Sequence, residues 1–127
     1  MSTTAPQTRI AIAAHRPRPG MEAVLLSEVR DRHQLLRSEG LATDRPPIVM
    51  QAAGGVILEV FEWASEAAIA EAEDAGRVQA MRERFAACSE PVRLDELAEA
   101  REAIALFASA DLSLPPPPQP TPDNREE

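Results

Sequence analysis

Three side chains of this sequence can move a proton near neutral pH, namely Glu59 and the only two histidines, His15 and His33. Glu59 alternates with apolar residues in a stretch typical of a β-strand, so it should share a strand face with Phe61 and Trp63. A carboxyl group among apolar neighbours loses hydration, which raises its pKa and suits it to general-base catalysis. Glu59 and His33 are therefore the predicted catalytic residues.

Both candidates also have a structural interpretation, which the sequence leaves open. A buried glutamate often pairs with an arginine, such as Arg9 or Arg45, or reaches solvent at the rim of a barrel. His33 falls on or beside the apolar stripe of a predicted helix, where it could act as a base. A single histidine without a visible acidic orienting partner is more often a structural residue.

The predicted ligand-binding residues surround this pair. His15 ends the first predicted strand on the same face as Ala11 and Ala13, and two alanines leave volume that a pocket could use. Side chains of a partner sheet could fill the same volume instead. Trp63 could wall the cavity or plug the core, and Met50 could contact the ligand or fill the core.

Composition excludes several other kinds of site. Thirteen basic and 21 acidic residues give a net charge of −8, and three Phe, one Trp and no Tyr offer few stacking platforms. We therefore expect no nucleic-acid partner. Two histidines and one cysteine lie at no metal-ligand spacing, and Gly54-Gly55 reads as a turn rather than a phosphate loop. We expect neither a metal nor a cofactor.

A cytoplasmic location is expected, without a membrane partner. Nowhere do eighteen apolar residues follow one another, and the first fourteen residues lack a basic start before a long apolar run. The single cysteine, Cys88, cannot form an internal disulfide, which suits a reducing compartment. Cys88 is read as a small buried hydrophobe, with a nucleophile as the alternative.

The elements that must position these residues follow from periodicity and from turn residues. Residues 1–7 should be flexible, residues 8–110 should form one domain, and residues 111–127 form a Pro-rich tail predicted to be disordered. Asp95 could cap a C-terminal helix in which Leu97, Ile104 and Phe107 share a stripe. The other predicted elements are strands at 9–14, 48–52, 56–63 and 91–94, and helices at 20–38 and at 66–87 with a bend at Gly76.

This order predicts an α+β fold of the ferredoxin-like βαββαβ type, with an antiparallel sheet and an added C-terminal helix. A sheet covered by helices on one face should alternate apolar and polar residues. Residues 10–14 and 56–60 are instead apolar on both sides apart from Glu59. The second face therefore needs a cover, and the simplest cover is a second copy of the chain. We predict a homodimer joined sheet to sheet.

Three stretches together resemble the dimeric α+β-barrel superfamily, and within it the antibiotic biosynthesis monooxygenase (ABM)-like group. They are Arg18-Pro19-Gly20 before the first helix, the run from Glu39 to Pro47 (EGLATDRPP) after it, and EVFEW leading into a helix capped by Ser65. The similarity covers about residues 8–107.

The resemblance implies two ferredoxin-like protomers that close a barrel, with a ligand held between the sheet and the helices. It also implies a cofactor-independent monooxygenase acting on a small apolar or aromatic compound, in which Glu59 or His33 removes a proton and the anion reacts with dioxygen. The alternative is a non-catalytic homodimeric scaffold that binds a small molecule or a protein. Relatives often have Ala-His where this chain has Ala72-Glu73, so no histidine role is carried over to that position.

Overall fold

One antiparallel sheet of five strands organises residues 7–110, the part of the chain that the computed structural model describes. The strands lie in the order β4-β1-β3-β2-β5, so β3 is central. The predicted α+β class with an antiparallel sheet is confirmed, whereas most of the predicted N-terminal segment and all of the Pro-rich tail lie outside the described residues. The strands are β1 (Arg9–Pro17), β2 (Ile48–Gln51), β3 (Ile57–Trp63), β4 (Ser89–Val92) and β5 (Ala108–Ala110).

Three helices connect these strands: α1 (Glu22–Ser38), α2 (Glu66–Asp74) and α3 (Gly76–Cys88). The predicted bend at Gly76 is confirmed, because the extended backbone of Ala75 separates α2 from α3. The predicted cap of Ser65 is also confirmed, since its hydroxyl accepts a hydrogen bond from the Ala68 amide at 3.0 Å. Within residues 7–110 no helix is both long and apolar enough to cross a membrane.

The predicted C-terminal helix is wrong. Two short 3₁₀ turns, Leu94–Glu96 and Ala98–Arg101, precede β5, which pairs with β2 at the edge of the sheet opposite β4. Leu97 lies between the turns with an extended backbone, and its side chain is buried. Ile104 is exposed, so the expected apolar stripe does not form. Burial of Leu97 against the sheet outweighs the local helix signals around it.

Helices α1 and α3 cover one face of the sheet. Leu25 and Val29 of α1 pack with Met81 and Phe85 of α3 over Ile57 of β3. Burial of each such side chain contributes about 1.5–3 kcal/mol. This helix-covered face is the face on which Glu59 lies, since β3 alternates and Ile57 and Glu59 are two residues apart. The core therefore surrounds the predicted site.

The opposite face is covered only in part. Leu97 packs there against Ala14, Leu58 and Val92. Farther along, Val60 of β3 lies between Ile12 of β1 and Ile48 of β2, so three apolar residues form a row across the strands. Ile12 and Ile48 are 50% and 60% exposed, and Ile10 on the same face is also 60% exposed. We call Ile10, Ile12, Ile48 and Val60 the apolar sheet patch.

Candidate functional site

Glu59 lies at the centre of β3 and is completely buried. Its strand neighbours are Ala13 on β1 and Val49 on β2, so no edge of the sheet gives it access to water. A buried charge needs close partners, because loss of hydration costs several kcal/mol for a single ion. The alternation in the sequence placed Glu59 among apolar residues correctly, and its partners determine its chemistry.

Two histidines and one arginine converge on the Glu59 carboxylate. His15 of β1 has Nε2 at 2.6 Å from Oε2, and His33 of α1 has Nε2 at 3.0 Å from Oε1. Arg32, next to His33 on α1, donates from Nη2 to Oε2. The structure thus brings together the two predicted catalytic residues, Glu59 and His33, with the predicted ligand-binding residue His15, and it adds Arg32. We call these four residues the Glu59 cluster.

The predicted rise in the Glu59 pKa is wrong. Burial does act to raise this pKa, but hydrogen bonds from His15 and His33 and the positive charge of Arg32 outweigh burial and lower the pKa of Glu59 to about 2. Glu59 is therefore an ionised acceptor at neutral pH. It is suited to hold the histidines in place and unsuited to act as a base itself.

Arg32 is the partner that sequence analysis missed. Of the arginines proposed to pair with Glu59, Arg9 binds Glu66 and Arg45 binds Glu62. One signal was present in the sequence: Arg32 occupies a position of the apolar stripe of α1, where a cation needs a buried anion.

The Arg32 side chain lies between two aromatic rings. Its guanidinium carbon is 4.1 Å from the centre of the Phe85 ring and 5.8 Å from that of Phe61. These cation–π contacts offset part of the cost of removing the charge from water. The Arg32 Nε is buried without a hydrogen-bond partner among the described residues. Arg32 is thus held by its charge and its stacking more than by a complete set of hydrogen bonds.

The ionised Glu59 carboxylate determines which nitrogen of His15 carries a proton. Nη2 of Arg32 lies 3.3 Å from Nε2 of His15, and both atoms face Oε2 of Glu59. An ionised carboxylate can only accept, so the 2.6 Å contact requires a proton on Nε2 of His15. A neutral His15 then has an unprotonated Nδ1, the nitrogen that can accept a proton from a ligand.

His15 lines a cleft of about 360 Å³ at the β4 edge of the sheet. The cleft lies where α3 ends and β4 begins, and there His15 of β1 pairs with Pro91 of β4. Strand β1 continues to Pro17, beyond its predicted end at Ala14, because β4 pairs with its second half. His15 is therefore interior to β1. The lining residues are His15, Arg82, Phe85, Ala86, Ser89 and Pro91.

The other predicted ligand residues lie elsewhere. Ala11 and Ala13 are partly buried on the helix-covered face, and neither lines this cleft. Trp63 is half-buried, with its ring centre 5.4 Å from that of Phe61, and packs in the core. Met50 pairs with Leu58 and packs on the opposite face of the sheet. Met50 thus lies on the sheet face opposite Glu59, whereas Ala11, Ala13 and Trp63 lie on the same face as Glu59.

A second cleft, of about 490 Å³, lies between α1 and α3 and does not reach the cluster. Its lining includes Leu35, Met81 and three charged residues, Asp31, Arg77 and Arg84. The two arginines are paired with Glu39 and Glu28, at 3.0 Å in each case. His33 lines neither cleft. Of the two histidines, His15 is thus the one that lines a cleft described above.

Cys88 lies in the core and is almost completely buried. Burial raises the pKa of its thiol, and the nearby negative charge of Glu28 raises it further. This environment agrees with a small buried hydrophobe and disfavours a thiolate nucleophile. Among residues 7–110, no group of three or more His, Cys, Asp or Glu side chains is arranged to hold a metal ion.

Comparisons with protein-family models, with curated proteins and with solved structures gave no match to this chain. The fold and the site together define an α+β protein with a buried carboxylate–histidine–arginine cluster beside an open cleft.

Proposed function

We propose that this protein is a homodimeric ABM-like α+β barrel that acts as a cofactor-independent monooxygenase on a small apolar or aromatic compound in the cytoplasm. Two protomers of ferredoxin-like βαββαβ order would pack sheet to sheet. The strand order β4-β1-β3-β2, with α1 and α3 on one face, supports this arrangement. Strand β5 extends the sheet beyond it at the β2 edge.

The apolar sheet patch supports the dimer. Its residues lie on neighbouring strands in one continuous area, whereas scattered single apolar residues on a surface would need no explanation. A second copy is the occupant we propose, because a flat antiparallel face can pair with itself about a twofold axis. Burial of this area would contribute about 25 cal/mol for each Å² of apolar surface removed from water.

The chemistry begins at His15. Glu59 fixes the Nε2–H tautomer of this ring, and Arg32 holds the carboxylate in place by charge and stacking. The unprotonated Nδ1 would accept a proton from a ring hydroxyl or an acidic C–H of the substrate. The resulting anion would then transfer electrons to dioxygen, and after cleavage of the O–O bond one oxygen atom would remain in the oxidised product while the other would leave as water with two hydrogens of the substrate. In this assignment Glu59 is a positioning residue and His15 is the base.

The observation that carries this proposal is the 2.6 Å contact between His15 and Glu59 at the wall of a cleft. A histidine oriented by an ionised carboxylate is a recurrent general base. His33 makes a matching contact on the other carboxylate oxygen but lines no described cleft. The two histidines are therefore a matched pair for a test.

The test compares His15→Gln with His33→Gln. Oxygen uptake and product formation are measured with dihydroxynaphthalenes and related hydroxylated rings as probes. We expect wild-type turnover with at least one probe, a loss of about 100-fold or more in His15→Gln, and a much smaller loss in His33→Gln. Equal losses in the two variants would contradict the assignment of the base.

A non-catalytic homodimeric scaffold is the second candidate, and one observation favours it. Glu59 accepts hydrogen bonds from three side chains. A buried carboxylate with so many hydrogen-bond partners is also typical of structural ion clusters. In that case the probes would give no oxygen uptake above the uncatalysed rate. Substitution of either histidine would then change stability alone, and by similar amounts.

A further inference from the structure

We infer that the cleft beside His15 binds an aromatic carboxylate, with Arg82 holding the carboxylate group and the apolar wall holding the ring. This inference builds on the proposed function, because it names the substrate class of the same cleft. It rests on the chemistry of the lining residues and on the charge state of Arg82.

The lining has two kinds of surface. Phe85, Ala86 and Pro91 form an apolar wall against which a planar ring can pack. Its volume of about 360 Å³ falls in the usual range for small-molecule sites. The remaining lining residues are His15, Ser89 and Arg82, and these determine which polar group a ligand must carry.

Two of the three polar residues are already engaged. His15 uses Nε2 on Glu59, and the Ser89 hydroxyl donates to the Phe85 carbonyl at 2.7 Å. Ser89 therefore has no proton left for an anion. Arg82 is the remaining donor, and it carries a permanent positive charge.

Arg82 differs from most arginines of the chain. Seven arginines of the described residues have a carboxylate partner, and they include Arg84, which lies on the same helix. Within residues 7–110, Arg82 has none. A cation without a partner at a cleft is notable in a chain with a net charge of −8, and it favours an anionic ligand.

Arginine matches a carboxylate in shape as well as charge, since its planar fork can donate two parallel hydrogen bonds. Arg82 and Phe85 are three residues apart on α3 and so lie on one side of the helix. A ring packed on this wall can place its carboxylate at Arg82 and a second substituent at His15. The proposed proton removal at His15 thus needs no movement of the carboxylate.

The test measures binding by isothermal titration calorimetry with the full-length chain. The probes are 2-naphthoate and its neutral analogue 2-naphthamide. We expect naphthoate to bind more tightly than the amide to the wild-type protein, and Arg82→Gln to weaken naphthoate binding about tenfold with little change for the amide. Arg82→Lys, which keeps the charge, should lose less.

Arg37→Gln is the matched control, because Arg37 is exposed on α1 and lines neither described cleft. The inference is overturned if naphthoate does not bind, if the amide binds as tightly, or if Arg82→Gln and Arg37→Gln behave alike. The proposed catalysis fails separately, through oxygen uptake that does not depend on His15. Binding of naphthoate by His15→Gln that still depends on Arg82 would support this inference even then.

Discussion

Two glutamates on β3, Glu59 and Glu62, lie on opposite faces of the strand and have different surroundings. Glu59 faces the helices and is completely buried, and its partners come from β1 and α1, between 26 and 44 residues away in the sequence. Glu62 lies on the opposite face near the end of the strand. It is bound by Thr43 and Arg45, and the Arg45 side chain is 64% exposed.

Hydrogen bonds and positive charge lower the pKa of both carboxyl groups. For Glu62 the main causes are hydrogen bonds from Thr43 and Arg45. For Glu59 the partners must also overcome burial, and their side chains are themselves mostly buried, so water would replace a missing carboxylate poorly. We therefore expect the partners' access to water, rather than the number of partners, to determine how much each glutamate contributes to stability.

The largest expected effect is that of Glu59→Gln. This change removes the charge that holds Arg32, His15 and His33, and it leaves the Arg32 guanidinium buried without a counter-ion. We expect the free energy of unfolding to fall by about 3–5 kcal/mol. Urea unfolding followed by circular dichroism, at one fixed protomer concentration, measures this loss.

Glu62→Gln is the matched control on the other face of the strand. Its main cation, Arg45, keeps most of its hydration when the carboxylate is lost, so the effect should be much smaller. Similar losses of unfolding free energy in Glu59→Gln and Glu62→Gln would contradict the expected difference between the two faces.

Lowering the pH should remove the stabilisation that ionised Glu59 provides. The pKa of Glu59 falls from its ordinary value of 4.5 to about 2 in the folded protein, so its contribution is fully present above about pH 5 and is lost as the pH falls toward 2. We expect this contribution to be about 3 kcal/mol. The difference in unfolding free energy between the wild-type protein and Glu59→Gln, measured from pH 6 to pH 2.5, should shrink over this range. A difference that stays constant over this pH range would show that ionisation of Glu59 does not contribute to the free energy of unfolding.

Much of this arrangement could be predicted from the sequence, because local patterns determine it. Alternation along β3 placed Glu59 on a buried face, Ser65 marked the start of α2, and Gly76 marked the break after it. The partners of Glu59 could not be predicted in the same way. They depend on which residues of β1 and α1 meet in the folded chain. The apolar stripe of α1 marks Arg32 as a buried cation, but nothing within a short window says which anion it meets.

The C-terminal segment shows the same limit. Asp95 and the spacing of apolar residues after it favour a helix locally, yet Leu97 is buried on the sheet and Ile104 is exposed. Tertiary contacts of one residue overrode the local signals. The cleft was not predicted for a related reason, since its lining combines β1 with the continuous segment of α3 and β4, which is far from β1 in the sequence.

A smaller effect is expected on the open face of the sheet. Ile12→Lys places a charge in the apolar sheet patch and should weaken the proposed dimer about 100-fold, or about 2.7 kcal/mol, because the charge loses water on association. Sedimentation velocity over a dilution series measures the change. Val24→Lys is the control, since Val24 is an exposed apolar residue on α1, away from the patch. A wild-type protein that stays monomeric at high concentration would refute the dimer.

The proposed role of the Glu59 cluster depends most on the orientation of His15 by an ionised Glu59. A long-range ¹H–¹⁵N correlation spectrum of the histidine side chains, recorded at pH 8, reports the protonation of each ring nitrogen directly. The proposed arrangement predicts that His15 has a proton on Nε2 and an unprotonated Nδ1, and that both signals change in Glu59→Gln. A proton on Nδ1 of His15 in the wild-type protein would mean that this nitrogen cannot act as the base, and would contradict the proposed role of the Glu59 cluster.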